Sequence, residues 1–107
     1  MRTVYKYPLE LKETQTVITP RQCAMLTVQL QKGQICLWAE VLLDGKVEAR
    51  TIRIVGTGKP MPEGEGIYLA YIGTVQMLPY VWHIYEELPE EEENFVPDRD
   101  DFGGYEA

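Results

Sequence analysis

His83 is the only histidine in the chain, and it stands in an aromatic run, YVWHIY, over residues 80–85. An imidazole can move protons near neutral pH or ligate a metal. As a general base it needs a nucleophile within reach and a third group to orient it. Nothing adjacent in sequence proposes either, and no HExxH or GxSxG signature is present. The residue reads as a partly buried, hydrogen-bonded member of a strand, or as part of a ligand site. No catalytic residue is assigned.

Residues 56–60, GTGKP, invite comparison with a phosphate-binding P-loop. That motif needs a glycine where Arg53 stands and a Ser or Thr where Pro60 stands, so the match fails twice. A milder chemistry survives, because glycines let backbone N–H groups converge on an anion while Lys59 and Arg53 add charge. The candidate ligand-binding set is therefore Arg53, Gly56, Thr57, Gly58, Lys59 and His83. The plain alternative is a loop rich in glycine because it turns.

Cys23 and Cys36 lie thirteen apart, each inside an apolar alternating run. In a reducing compartment such cysteines serve as small core residues rather than as a disulfide. Two cysteines and one histidine fall short of the four ligands of a closed zinc site. Neither metal nor cofactor is expected.

The elements that must position these residues are strands. Alternating or β-branched runs are predicted at residues 3–9, 14–19, 24–30, 34–43, 47–55, 67–77 and 80–85. The clearest places Ala24, Leu26, Val28 and Leu30 on one face, with Thr27, Gln29 and Gln31 on the other. The next run has Ile35, Leu37, Ala39, Val41 and Leu43 on one face and Cys36, Trp38, Glu40 and Leu42 on the other. Lys32–Gly33 supplies a turn, and Asp44–Gly45 signals a type I′ hairpin. Residues 56–66 hold four glycines and two prolines and form a long loop. The run at 67–77 is apolar on both faces, which suggests a central strand or the closure of a barrel. His83 alternates with Val81 and Tyr85, against Tyr80, Trp82 and Ile84. Tyr5, Tyr7, Tyr68, Tyr71, Tyr80 and Tyr85 all fall on these strands and are expected mostly in the core. The fold class is all-β: a small antiparallel β-sandwich or partly open barrel of about seven strands, with an acidic C-terminal tail.

A chain of 107 residues builds one domain. Its net charge of −7 is segregated: ten acids against Arg99 from residue 86 onward, and seven acids against nine bases before it. The organisation is a β-domain over 1–86 and an acidic tail over 87–107. That tail cannot offset its own ordering entropy by apolar burial. It reads as a solubilising segment, a nucleic-acid mimic, or a cover for a basic patch on its own body. Phe95, Phe102 and Tyr105 would anchor it by short-range contact within a long-range field. The partner-binding set is Glu90, Glu91, Glu92, Glu93, Phe95, Asp98, Asp100, Asp101 and Phe102. A body so weakly basic is unsuited to direct nucleic-acid binding, which depends on clustered cations. There is no apolar run of transmembrane length, and the N-terminus has no signal-peptide core, so a cytoplasmic protein is expected.

YKYPL near the start, VQLQKGQICLWAEV, IRIVGTGKP, and YIGTVQM followed by VWHIYE resemble a family of small uncharacterised proteins encoded mainly by bacteriophages, classed as a domain of unknown function. The likeness covers residues 3–86. It implies a phage accessory protein in the host cytoplasm, working without catalysis. Two functions are open. One is an anti-defence inhibitor that contacts a basic host protein through the acidic tail. The other is a sponge for a nucleotide-type signal, its pocket at a homo-oligomer interface.

Overall fold

Gln34–Leu42 puts Ile35, Leu37, Ala39 and Val41 on one buried face, and it becomes the middle strand of one of two sheets. In the computed structural model, which describes residues 1–88, seven strands follow in chain order: β1 (Arg2–Pro8), β2 (Thr14–Pro20), β3 (Cys23–Gln31), β4 (Gln34–Leu42), β5 (Val47–Gly56), β6 (Tyr68–Met77) and β7 (Tyr80–Leu88). They form two antiparallel sheets, β1-β4-β3 and β2-β5-β7-β6. The protein is an all-β sandwich of open sheets, not a closed barrel. β7 runs to Leu88, past the boundary expected at residue 86, so Glu86 and Glu87 belong to the sheet.

The core lies between the sheets. Leu37 and Ile35 from β4, Val28 from β3, Ile52 and Ile54 from β5, Val75 from β6, Ile84 from β7, and Leu9 form one buried cluster. Each fully buried aliphatic side chain contributes roughly 2 kcal/mol. Cys36 is buried and Cys23 half-buried, and both are free thiols.

Several expectations change. The expected alternation of β3 breaks at a bulge between Met25 and Thr27. One extra residue reverses the phase of a strand. Met25 and Val28 consequently face the core, while Leu26 is turned out to 50% exposure. Asp44–Gly45 makes no type I′ hairpin, because β4 and β5 lie in different sheets. The Asp44 side chain accepts from the Lys46 N–H at 3.0 Å, and only Gly45 takes positive φ. This asx-type turn carries the chain across the sandwich. The turn with positive φ at both central positions is Lys32–Gly33, joining β3 to β4. β6 is an edge strand rather than a central one; its second apolar face is outward, where Tyr71 stands 61% exposed. Tyr5, Tyr68 and Tyr80 are exposed too, so these tyrosines form surface more than core.

Candidate functional site

Antiparallel pairing sets the two nitrogens of His83 against hydroxyls from either side. Val55 and Thr74 are its register partners on β5 and β6. β5 prolongs its ladder by one bond, Thr57 N–H to the Val81 carbonyl at 3.1 Å. Period two then puts the Thr57 side chain on the same outer face as His83. Its Oγ1 lies 2.7 Å from His83 Nε2, and Thr74 Oγ1 lies 3.0 Å from Nδ1. The Tyr71 hydroxyl bonds Thr74 in turn, and the Tyr71 ring meets Tyr85 edge-on at 5.6 Å. A row of hydroxyl, imidazole, hydroxyl and phenol thus crosses the outside of the four-stranded sheet. Sequence adjacency could not reveal it, since Thr57 and Thr74 reach His83 only through pairing.

The row meets the distance requirement for a nucleophile, a base and an orienting group. Its third member is a neutral hydroxyl, which orients the ring without stabilising an imidazolium as a carboxylate does. Its evident physical effect is to clasp the start of the 57–67 loop to β6 and β7.

A cavity of about 510 Å³ adjoins the same loop, lined by Leu11, Lys12, Glu13, Arg53, Ile54, Val55, Gly56, Lys59, Pro60, Met61, Pro62 and Trp82. Gly56 is required by close approach: a Cβ there would lie 2.9 Å from Cζ3 of Trp82 and 3.5 Å from Cγ of Lys59. The indole therefore packs directly on the loop backbone. Gly58 is required only by its positive φ of 88°, with open space around it. Among the cations, Arg53 donates through Nε to Oε1 of Glu87 at 2.7 Å, and Lys12 pairs with Glu10 at 3.2 Å. Lys59 makes no ion pair among the described residues.

The six candidate ligand residues thus divide. Arg53, Gly56 and Lys59 line the cavity, Thr57 and His83 belong to the hydroxyl row, and Gly58 makes the turn between them. Glu90, Glu91, Glu92, Glu93, Phe95, Asp98, Asp100, Asp101 and Phe102 lie outside the described residues. Sequence reasoning missed Lys12, Met61 and Trp82 as cavity walls.

It also missed a polar cluster at the opposite end of the core. Arg50 donates through Nε to Glu48 at 2.8 Å, through Nη1 to Glu86 at 2.8 Å, and through Nη2 to the Cys23 carbonyl at 3.1 Å. Burial works against the guanidinium charge, but Glu86 and Glu48 outweigh it and hold the group above its ordinary value. Burial pushes the Cys23 thiol up, with Arg50 and a hydrogen bond from Thr19 opposing. Burial likewise raises the Tyr7 phenol, whose hydroxyl is buried without a hydrogen-bond partner among the described residues. A signal for this cluster was available, since parity puts Arg50 on the face of Ile52 and Glu86 on that of Ile84.

Among the described residues, no three His, Cys, Asp or Glu side chains are grouped to hold a metal, and no helix is long and apolar enough to cross a membrane. Residues 1–94 match a family model described as a domain of unknown function (DUF7352). No curated protein and no solved structure matches the chain.

Proposed function

The chain belongs to the DUF7352 family of domains of unknown function, matched over residues 1–94, and from its own geometry we propose a non-enzymatic binding module that sequesters a nucleotide-type anion. One observation carries this reading: among the described residues, Lys12, Arg53 and Lys59, with one acid, Glu13, surround a cavity walled by Trp82 and Met61. Its volume falls within the roughly 300–1,000 Å³ of small-molecule sites. A phosphate would meet Lys59, the cation of this cavity with no acidic partner among the described residues, and a base would lie against the indole. The neutral third member of the hydroxyl row supports binding over catalysis.

Calorimetry and thermal unfolding against cyclic and linear adenine and guanine nucleotides test this at low salt. A ligand held at about a hundred times its Kd should stabilise the fold by about 2.7 kcal/mol. Lys59→Ala should lose most of that gain. If no nucleotide moves the unfolding midpoint, or Lys59→Ala binds as well as the native chain, the proposal is wrong.

A second reading is favoured by charge. Residues 1–88 hold nine acids and nine bases, so the whole −7 falls in residues 89–107. On that reading the protein is a phage-encoded accessory or anti-defence inhibitor in the host cytoplasm. It would contact a basic host protein stoichiometrically through Glu90–Glu93, Phe95, Asp98, Asp100, Asp101 and Phe102. Such contact should weaken as salt screens exposed charges over about 10 Å at 0.1 M. Capture that is indifferent to salt, or unchanged after all four of Glu90, Glu91, Glu92 and Glu93 become Gln, counts against it.

A further inference from the structure

Among the described residues, the sandwich has four edge strands, β1 and β3 in one sheet and β2 and β6 in the other. Proteins blunt such edges with charge, proline, bulges or a covering element, because unpaired N–H and C=O groups template further pairing. Three of these edges are blunted. β1 carries Arg2, Lys6 and Pro8. β3 and β6 each carry a bulge, and they close on one another: a Cβ at Gly73 of β6 would lie 2.8 Å from Cγ2 of Val28 on β3. β2 differs. Its sequence, TQTVITP, has no charge, its ladder to β5 runs in unbroken register, and its one proline is the last residue.

The outward groups on β2 follow from one bond. Ile54 N–H donates to the Glu13 carbonyl at 3.1 Å, which makes that pair a hydrogen-bonded one. Alternation along the strand then turns Gln15, Val17 and Thr19 toward β5, and directs the backbone groups of Thr14, Thr16 and Ile18 to the free edge. Pairing on that edge is self-complementary. An antiparallel two-fold axis through Thr16 sets Thr16 opposite its own copy and Thr14 opposite Ile18, each pair exchanging both main-chain bonds. The Ile18 side chain, 59% exposed, would then be covered by β-branched neighbours on the outer face.

We infer that a second copy of this chain docks along β2, joining two four-stranded sheets into one continuous antiparallel sheet across an isologous two-fold interface. The absence of charge on β2 lets like meet like without repulsion, which the Arg2 and Lys6 edge does not. This inference is independent of the ligand proposed for the cavity.

Sedimentation velocity of the full chain, across micromolar to high-micromolar concentrations, tests it. The native chain should pass from monomer to dimer. Thr16→Pro removes an outward N–H and leaves the ladder to β5 intact, a position where edge strands tolerate proline. It should weaken the dimer about a hundredfold with the thermal midpoint of the monomer kept. Should Thr16→Pro fail to fold, Ile18→Lys decides, and it should be monomeric. Amide exchange at Thr16 and Ile18 should slow in step with dimer formation. A native chain monomeric throughout, a dimer untouched by both substitutions, or protection of those amides that ignores concentration (as when residues 89–107 cover the edge) each overturns the inference.

Discussion

Nη1 of Arg50 donates to Oε2 of Glu86 at 2.8 Å between the two sheets, with side-chain exposures of only 16% and 10%. The third arm of the same guanidinium reaches the Cys23 carbonyl on the facing sheet. Removing one member strands the other in a poorly hydrated place. Arg50→Met should therefore destabilise the fold by about 3–5 kcal/mol in urea denaturation. The double variant Arg50→Met/Glu86→Leu should recover most of that loss, since an apolar pair needs no ionic partner. A single variant as stable as the native chain would show that the pair is screened after all.

Tyr7 and Cys23 beside this pair set an alkaline limit. Their ordinary values are 10.0 and 9.0, and burial raises both in the folded state. Both groups are neutral when protonated, so as pH rises the unfolded chain releases their protons first. The native state then binds more protons than the unfolded one, and stability falls with pH from about 9 upward. Tyr7→Phe should flatten that decline and raise stability at neutral pH by about 1 kcal/mol, because it removes a buried hydroxyl lacking a partner among the described residues. The Cys23 thiol should also alkylate more slowly in the native chain than in urea at the same pH. A Tyr7→Phe profile that overlays the native one would refute the assignment.

The bond between Thr57 and His83 fastens the cavity loop to the sheet. Thr57→Val keeps the shape of the side chain and deletes the hydroxyl, at a cost of about 1 kcal/mol. Amide exchange over residues 57–67 should quicken while exchange in β4 stays unchanged. Nucleotide affinity, if the cavity binds one, should fall with Lys59 loosened. Equal exchange in the two proteins would mean that the loop is held by something else.

Strand number and strand positions were legible because apolar residues recur at period two wherever one face is buried. The Ile35, Leu37, Ala39 and Val41 face of β4 is where that signal was cleanest, and all four are buried. Pairing was not legible in the same way. A period names the face of a residue, not its sheet, and for that reason Asp44–Gly45 looked like a hairpin although it crosses between sheets. Bulges are invisible to periodicity until they break it, as Leu26 shows. At the candidate site, Gly56 and Lys59 declared themselves by composition. The partners of His83 did not, because a threonine in a strand carries no mark of what it will face. Arg50 and Glu86 escaped notice for a related reason: Glu86 was counted with the acidic run and stood at the edge of the expected domain, although parity puts it on the face of Ile84 and Arg50 on that of Ile52.

Gly73 is the residue on which the closed side of the sandwich depends. It sits at the β6 bulge, opposite Val28, and a methyl group there would lie 2.8 Å from Cγ2 of Val28 and 3.5 Å from its backbone nitrogen. Val28 is 3% exposed and β-branched, so its γ-methyl cannot swing aside cheaply. Gly73→Ala should thus cost about 1–3 kcal/mol through overpacking, and Val28→Ala alone should cost roughly 2 kcal/mol through the cavity it leaves. In the double variant the added methyl occupies part of the space that was vacated. The two losses should then fall short of additivity by about 1 kcal/mol or more, which a double-mutant cycle in urea measures directly. Strict additivity would mean that β3 and β6 part to admit the methyl, and that the seam between the sheets yields more easily than the close approach of Gly73 to Val28 implies.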